Sequence, residues 1–213
     1  MLSSEGYGIA IDLGTTTIAA ALVQLSDGTT LAKAGSLNPQ RAHGLDVIAR
    51  LQYAGISAEN FHEMQSAVNE ELARLAEELI VNADVDIQSI GQVVVAGNPT
   101  MSHLLLGLPI GSLAHPPYRP RQTGAHTLRT KELGWEKDLP LYVFPSPGGF
   151  VGGDTIAFLF GLGFPAPSSR HPLDPRESEP ALYLDLGTNG EIALLANGKI
   201  YATSAAAGPA FEG

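Results

Sequence analysis

The sequence of 213 residues contains no cysteine. This absence excludes disulfides, and it excludes any zinc or iron–sulfur centre held by thiolates of this chain. Long apolar runs are also missing, because none reaches the roughly 18 residues of a membrane span. Basic residues are few, with 12 Lys and Arg against 22 Asp and Glu and a net charge of −10. We therefore expect no nucleic-acid partner and no anionic membrane partner, since both require clustered Lys and Arg.

What the sequence does contain is an apolar fraction of 44%, which is enough for a buried core. The length allows one large domain or two small ones. The N-terminal residues Met-Leu-Ser-Ser-Glu-Gly are not basic and precede no long apolar segment, so we predict no secretion signal. Together these features predict a globular cytoplasmic protein.

Two short stretches share one pattern, in which an apolar strand ends on aspartate and is followed by glycine and threonine. The first reads Ile-Ala-Ile-Asp-Leu-Gly-Thr-Thr-Thr at 9–17, and the second reads Leu-Tyr-Leu-Asp-Leu-Gly-Thr-Asn-Gly at 182–190. Each is followed by a second strand, a hairpin-turn signal and a third strand. Because the unit recurs about 170 residues apart, the spacing favours duplicated domains over a short-period array.

The two turns, at 12–17 and 185–190, carry residues suited to binding phosphate. Successive backbone N–H groups in a tight turn form an anion site, and glycine allows a phosphate to come close. Asp12 and Asp185 are candidate magnesium ligands, because hard cations take oxygen ligands. An ordinary turn, with an aspartate bonded to its own backbone, explains one such motif. Two motifs facing each other across a cleft favour a polyphosphate site instead.

Other polar residues stand at the ends of predicted strands. Asp154 follows the glycine-rich stretch 148–153, where it either positions an attacking water or a water ligand of the metal, or only caps the next helix. Asn98 and Thr100 lie in a strand-to-helix turn and have either a functional or a capping role. Arg41 either contacts phosphate or is an exposed loop residue. The basic stretch 115–131 is interpreted as a solvated loop in preference to a docking surface, and no histidine pair has metal-ligand spacing.

The periodicity predicts an α/β plan with antiparallel hairpins at the start of each copy. The clearest helix is predicted at 58–82, with Ser57 as its N-cap. Strands are predicted at 90–96 and 141–144. A helix is predicted at 42–54, with an inward stripe of Leu45, Ile48, Ala49 and Tyr53.

At residues 8–17 and 184–190 the chain resembles the actin, sugar-kinase and chaperone ATPase superfamily, whose members contain two ribonuclease H-like domains. More narrowly, it resembles the reductive activators of corrinoid proteins. Further stretches carry that likeness: 36–41 with 44–48, 95–98 with Met101, 149–152 with Asp154, and 206–213. The similarity extends over essentially the whole sequence.

The resemblance implies a ribonuclease H-like domain with a mixed five-stranded sheet and flanking helices at 1–163. It further implies a proline-rich linker at 164–180 and the first strands of a second such domain at 181–213. The implied activity is an ATPase with ATP and magnesium as cofactors. This ATPase drives electrons from an iron–sulfur centre to the cob(II) state of a corrinoid protein or corrinoid-dependent methyltransferase.

By the same likeness, Asp12, Asp154 and Asp185 are the catalytic residues, and Asp12 and Asp185 hold the metal. The residues expected to bind the cofactor lie in the two phosphate turns: Gly14, Thr15, Thr16, Thr17, Gly187, Thr188, Asn189 and Gly190.

Two departures from the family pattern affect the expected activity. Such activators usually carry a ferredoxin-like cluster domain, yet this chain has no cysteine, and it ends at Gly213 within the second copy. We therefore expect a fragment that by itself binds ATP poorly and transfers no electrons. The alternatives are a small-molecule kinase, in which Asp154 or Asn98 meets a substrate hydroxyl, and a docking module with a vestigial nucleotide site. A homodimer is one arrangement that the sequence allows.

Overall fold

A mixed six-stranded sheet organises the first part of the chain. The computed structural model describes residues 6–162, 180–187, 189–197 and 199–206. The expectations for Thr188, for residues 207–213 and for all of the linker except Pro180 lie outside this range. In chain order the elements are β1 (Tyr7–Leu13), β2 (Thr17–Gln24), β3 (Thr30–Leu37), α1 (Val47–Ala54), α2 (Ala58–Asn82), β4 (Ile90–Gly97), α3 (Pro99–Leu106), α4 (Gly111–Ala114), β5 (His126–Arg129), β6 (Pro140–Val143), α5 (Gly153–Gly161), β7 (Ala181–Leu186), β8 (Asn189–Ala196) and β9 (Lys199–Ala206), with 3₁₀ turns at Pro39–His43, Ile87–Ser89 and Thr130–Leu133.

The register of the central strands determines where the polar turns lie. The first sheet has the order β3-β2-β1-β4-β6-β5. Strand β1 pairs parallel with β4, with Asp12 opposite Ala96, and antiparallel with β2, with Asp12 opposite Ala19. Because parallel strands end at the same edge of a sheet, the turn after β1 and the turn after β4 are neighbours. Asp12 and Asn98 therefore come from distant parts of the sequence to one edge.

The sheet contains six strands, one more than the expected five. The additional strand is β5, which pairs antiparallel with β6 at the edge of the sheet. It lies in the basic stretch that the sequence analysis treated as a solvated loop. Its Arg129 side chain donates a 2.9 Å hydrogen bond to Asp138. Only four residues pair in β5, so the alternation signal is too short to predict it.

Helix α2 confirms its predicted bounds and N-cap. Ser57 Oγ accepts a hydrogen bond from the N–H of Asn60 at 3.2 Å, which satisfies one orphan donor of the first turn. An apolar stripe forms the inward face of α2, which packs against β2 and β3. The fully buried side chains on that face are Met64, Val68, Leu72, Leu75 and Leu79.

The stripe predicted for the preceding helix is wrong in part. Leu45 lies outside α1 and is 71% exposed, and Ile48 is 49% exposed. Helix α1 instead buries Arg50, Leu51 and Ala54. An inward arginine is invisible to a hydrophobic pattern, because its burial depends on hydrogen-bond partners that come from other parts of the fold.

The second sheet is an antiparallel meander in the order β7-β8-β9. Ala193 and Leu195 of β8 pack against Leu159 of α5, which joins one face of this sheet to the first part of the chain. On the opposite face Leu182 and Leu184 of β7 are exposed. The predicted repetition of strand, turn, strand, turn and strand is therefore present in both sheets. The domain boundaries stay predictions.

In the part of the chain that the structure describes, no helix has the length and apolar character needed to cross a bilayer.

The helix–sheet core gives a direct test of the packing. Leu72→Ala should lower the free energy of unfolding by about 2–5 kcal/mol, because it removes a fully buried side chain from α2 and leaves a cavity. Urea denaturation followed by circular dichroism measures the change. Val81→Ala is the matched control on the same helix, since Val81 is 70% exposed and should change stability by less than about 0.5 kcal/mol. Equal effects of the two substitutions would contradict this packing.

Candidate functional site

A cleft of about 120 Å³ lies where the edge formed by β1 and β4 meets the turn between β7 and β8. We call it the twin-turn cleft, because both predicted phosphate turns contribute to it. Residues from four separate segments line it: Asp12, Gly14, Thr15, Thr16, Thr17, Asn98, Asp154, Asp185, Gly187, Asn189 and Glu191. The chain therefore brings Asp12 and Asp185 to one shared space.

The first turn is tight, and buried side chains donate hydrogen bonds to two of its carbonyls. A Cβ on Gly14 would lie 2.5 Å from the carbonyl oxygen of Thr17, so the turn requires glycine. The carbonyl of Gly14 accepts a hydrogen bond from Asn38 Nδ2 at 2.9 Å. The carbonyl of Thr15 accepts one from the guanidinium of Arg50 at 2.5 Å. Both side chains are buried, so the turn rests on a rigid polar support.

Asn98 connects the first turn to helix α3. Its Nδ2 donates to Thr15 Oγ1 at 2.9 Å, and its Oδ1 accepts from the N–H of Met101 at 3.0 Å. Asn98 is therefore the N-cap of α3 and a lining residue of the cleft at once. The functional and capping interpretations of this residue are compatible. Thr100 is buried in α3 and does not line the cleft.

The helix that carries Asp154 approaches the cleft closely because its N-terminus is glycine. A Cβ on Gly152 would lie 2.5 Å from Asn98 Cα, so a larger residue would push α5 away from the end of β4. Asp154 lies in the first turn of α5. Its Oδ1 accepts hydrogen bonds from the N–H of Thr155 at 2.6 Å and from Thr155 Oγ1 at 3.3 Å. Asp154 thus stabilises the start of the helix and also lines the cleft.

The second turn joins β7 to β8. The N–H of Gly187 donates to the carbonyl of Asn189 at 3.0 Å, which closes the turn. Both residues line the cleft with Asp185. Gly190 does not line it; this glycine is buried in β8 opposite Leu186.

Four carboxylates line the cleft: Asp12, Asp154, Asp185 and Glu191. Burial is the main cause that raises the pKa of Glu191 to about 7, with a further rise from the charge of Asp154. A hydrogen bond from Ser204 Oγ to Glu191 Oε1, 2.9 Å long, acts against this rise. Burial also raises the pKa of Asp154, and the charge of Asp185 adds to the rise.

No lysine or arginine side chain is among the described residues that line the cleft. A bare polyphosphate would meet only like charge from the side chains, so binding one requires a cation. Within the described ranges, no three acidic or histidine side chains form a ready metal centre. Magnesium is usually held by one or two carboxylates together with substrate phosphates and water. Asp12 and Asp185 fit that requirement.

The site contains residues that the sequence analysis missed. Glu191 was treated only as part of a strand, although it stands opposite Asp185 across β7 and β8. Arg50 was overlooked because no apolar pattern marks it. Asn38 belongs to the stretch where Arg41 was the candidate, yet Asn38 supports the turn and Arg41 does not line the cleft.

A larger groove, about 720 Å³, runs between α2 and the segment around Trp135. Neither phosphate turn contributes to it, and it contains no residue of the twin-turn cleft. Volume alone therefore does not identify the functional site here. The convergence of polar turns and carboxylates with raised pKa makes the twin-turn cleft the candidate site.

Comparison with known proteins now adds to this geometry. Residues 7–165 match the family model described as the RACo middle region. Residues 179–213 match the model described as the C-terminal domain of RACo, the ASKHA domain. The chain belongs to the RACo family of corrinoid reductive activators. This result confirms the resemblance noted from the sequence motifs.

Relatives with assigned names agree with this membership. The chain is 38% identical to the corrinoid activation enzyme RamQ of Eubacterium limosum, over 97% of this chain and 33% of that protein. It is 28% identical to the Co(II) methylated amine-specific corrinoid protein reductase of Methanosarcina barkeri, over 97% of this chain and 37% of that protein. The chain thus spans about a third of the length of these relatives.

A solved structure supports the fold independently. The reductive activator for corrinoid, iron–sulfur protein superposes with a TM-score of 0.87 at 32% identity, over 100% of this chain and 33% of that one. The described strands and helices therefore form the architecture expected of a RACo family member.

The raised pKa of Glu191 predicts a pH-dependent stability. Between its ordinary pKa of 4.5 and about 7, the folded chain binds a proton that the unfolded chain has lost. The free energy of unfolding should therefore fall as pH rises through this window. Glu191→Gln should reduce that fall, because glutamine does not titrate. Urea denaturation at pH 4.5, 5.5, 6.5 and 7.5 measures it in the absence of divalent cations.

The control for this experiment is Glu77→Gln, which changes an exposed glutamate of α2 outside the cleft. It should leave the pH dependence of the unmodified chain in place. A Glu191→Gln variant with the same pH dependence as the unmodified chain would contradict the assigned environment of Glu191.

Proposed function

We propose that this chain supplies the phosphate- and magnesium-binding part of an ATPase that drives the reductive activation of a corrinoid protein. One observation carries the proposal: two Asp-x-Gly turns, far apart in the sequence, line a single cleft with Asp12 and Asp185. Membership of the RACo family supports reductive activation as the activity. The names of the relatives support a corrinoid protein as partner.

The proposed roles follow from the lining of the cleft. Backbone N–H groups of the first turn, residues 14–17, would bind the phosphates, and the second turn would contribute Gly187 and Asn189, which line the same cleft. Asp12 and Asp185 would hold magnesium, which neutralises charge that builds up on the phosphates during transfer. Asp154 would orient the attacking water, and its raised pKa suits it to accept a proton from that water.

ATP drives the reductive activation only if it binds two conformations of the protein with different affinity. A ligand shifts a conformational equilibrium by its differential affinity and by nothing else. The twin-turn cleft offers such a difference, because its lining comes from both sheets. We propose that ATP holds the two sheets together and that hydrolysis to ADP and phosphate releases them.

The electron that reduces cob(II) to cob(I) would come from an iron–sulfur centre. This chain has no cysteine to hold such a centre. We therefore place the cluster on thiolates outside residues 1–213. A homodimer also stays a prediction, as does the cytoplasmic location.

The ATPase assignment is tested by Asp12→Asn in the full chain, by which we mean the full-length protein that contains residues 1–213. Magnesium-dependent phosphate release from ATP should fall at least about 100-fold, because the substitution removes a charged metal ligand while keeping the side chain's shape. Circular dichroism should remain unchanged. Asp27→Asn is the matched control, since Asp27 lies in the turn between β2 and β3 and its side chain accepts a hydrogen bond from Thr29.

The outcome separates three activities. Phosphate release without an added acceptor supports the ATPase, whereas ADP formation that requires a small hydroxyl-bearing acceptor and yields its phosphate ester would identify a kinase. Absence of ATP–magnesium binding would leave only a docking role. Unchanged turnover in Asp12→Asn would remove Asp12 from the site.

The corrinoid step has its own test. The full-length protein that contains residues 1–213, together with a corrinoid protein in the cob(II) state, a reductant and ATP with magnesium, should yield the absorbance spectrum of cob(I). Asp12→Asn should slow this reduction by the same factor as phosphate release, since both depend on the bound nucleotide. Reduction at the same rate without ATP would show that hydrolysis does not drive electron transfer.

A further inference from the structure

Arg50 is a fully buried cation whose hydrogen bonds all go to neutral acceptors. Its side chain is 0% exposed. Beyond Thr15, its guanidinium donates to the carbonyl of Gly44 at 2.9 Å, to Gln40 Oε1 at 3.5 Å and to Met101 Sδ at 3.3 Å. All of these acceptors are neutral. No carboxylate in the described ranges forms an ion pair with it.

Such an arrangement is costly for the folded protein. A buried charge without a counter-charge loses its hydration, and hydrogen bonds to neutral groups restore only part of it. Burial is the main cause that lowers the pKa of Arg50 to about 10, the neighbouring Arg41 lowers it further, and the charge of Asp46 acts against this fall. At neutral pH the guanidinium is still protonated. Asp46 is exposed and its side chain caps α1, so the interior keeps a positive charge with no hydrogen-bonded carboxylate.

The charge lies directly behind the first phosphate turn. Arg50 binds the carbonyl of Thr15, and Asn38 binds the carbonyl of Gly14. In a planar trans peptide, the C=O and the following N–H point in opposite directions. Holding these carbonyls toward the interior aims the N–H groups of Thr15 and Thr16 the other way, toward the cleft that both residues line.

We propose that Arg50 is a positioning residue for the polyphosphate, which orients the peptide groups of the first turn and whose buried charge attracts the bound phosphate chain. This inference rests on the proposed function of the cleft. Arg50 adds positive charge close to a site in which all charged side chains of the described lining are acidic. The ligand class that satisfies it is a nucleoside di- or triphosphate, because the attraction grows with the number of phosphates.

A merely structural role predicts a different result. If Arg50 acted only through the shape of the turn, Arg50→Lys would lose the preference for ATP over AMP as Arg50→Met does, because lysine cannot reproduce the hydrogen bonds of the guanidinium to the carbonyls of Thr15 and Gly44. A role through charge keeps that preference in Arg50→Lys, which retains the positive charge. The ratio of affinities for ATP and AMP in Arg50→Lys therefore separates the two roles, because both ligands share the adenosine contacts.

The experiment compares Arg50→Met, Arg50→Lys and Arg74→Met with the unmodified full chain. Isothermal titration gives the Kd of ATP, ADP and AMP with magnesium. Arg50→Met should weaken ATP at least about tenfold, the equivalent of one lost charge-assisted interaction, and should weaken ADP less and AMP least. Arg50→Lys should keep the preference for ATP over AMP, because it retains the charge.

Arg74→Met is the matched control. Arg74 is half-exposed on α2, pairs with Glu71 and Glu78, and lies outside the twin-turn cleft. It removes the same charge by the same substitution and should leave all three affinities unchanged. An equal effect in Arg74→Met would attribute the result to net charge and overturn the inference.

Two further results would overturn it. One is unchanged ATP affinity in a folded Arg50→Met variant, and the other is an equal loss for ATP, ADP and AMP. Should Arg50→Met fail to fold by circular dichroism, Arg50→Lys decides: a retained ATP-over-AMP ratio supports the inference, and a lost ratio overturns it. If the unmodified full chain binds no nucleotide, the proposed function itself fails, which is distinct from either result.

Discussion

The site depends on hydrogen bonds that buried side chains donate to two carbonyls and one hydroxyl of the first turn. Asn38 holds the carbonyl of Gly14, Arg50 holds that of Thr15, and Asn98 holds the Thr15 hydroxyl. These donors come from three different segments, so the conformation of a short glycine-containing turn reflects the packing of the whole first sheet and its helices. Loss of any donor would leave a buried acceptor unsatisfied, which costs more than the bond itself contributes. The turn is therefore preorganised before any ligand arrives.

The electrostatics of the cleft follow from the same packing. Acidic side chains converge from β1, α5, β7 and β8, and their burial and mutual repulsion raise the pKa of Asp154 and Glu191. Such a cluster is unfavourable alone and favourable around a cation. Behind the turn lies the opposite case, the buried guanidinium of Arg50, which has no hydrogen-bonded carboxylate. A metal–polyphosphate complex satisfies both at once, since it brings positive charge to the carboxylates and negative charge to the turn.

Local patterns predicted the elements whose formation is itself local. Helix α2 has a long apolar period and a capping serine, so its bounds agree with the prediction from end to end. Strand β5 and the inward face of α1 escaped prediction for the opposite reason. Four residues of β5 form a strand only because they pair with the edge of β6. Arg50 points inward only because the carbonyls of Thr15 and Gly44 accept its hydrogen bonds. No periodicity encodes a partner that lies elsewhere in the chain.

The sequence by itself determined the chemistry available: two Asp-x-Gly-Thr motifs, a strand after each, and no thiolate for a metal cluster. These are statements about residue types at fixed spacing, which need no knowledge of the fold. Only the tertiary structure decided that Asp12, Asp154, Asp185 and Glu191 share one cleft and that Gly190 does not line it. The physical reason is strand pairing: the parallel register of β1 with β4 and the contact of β8 with α5 bring together side chains that the sequence separates widely.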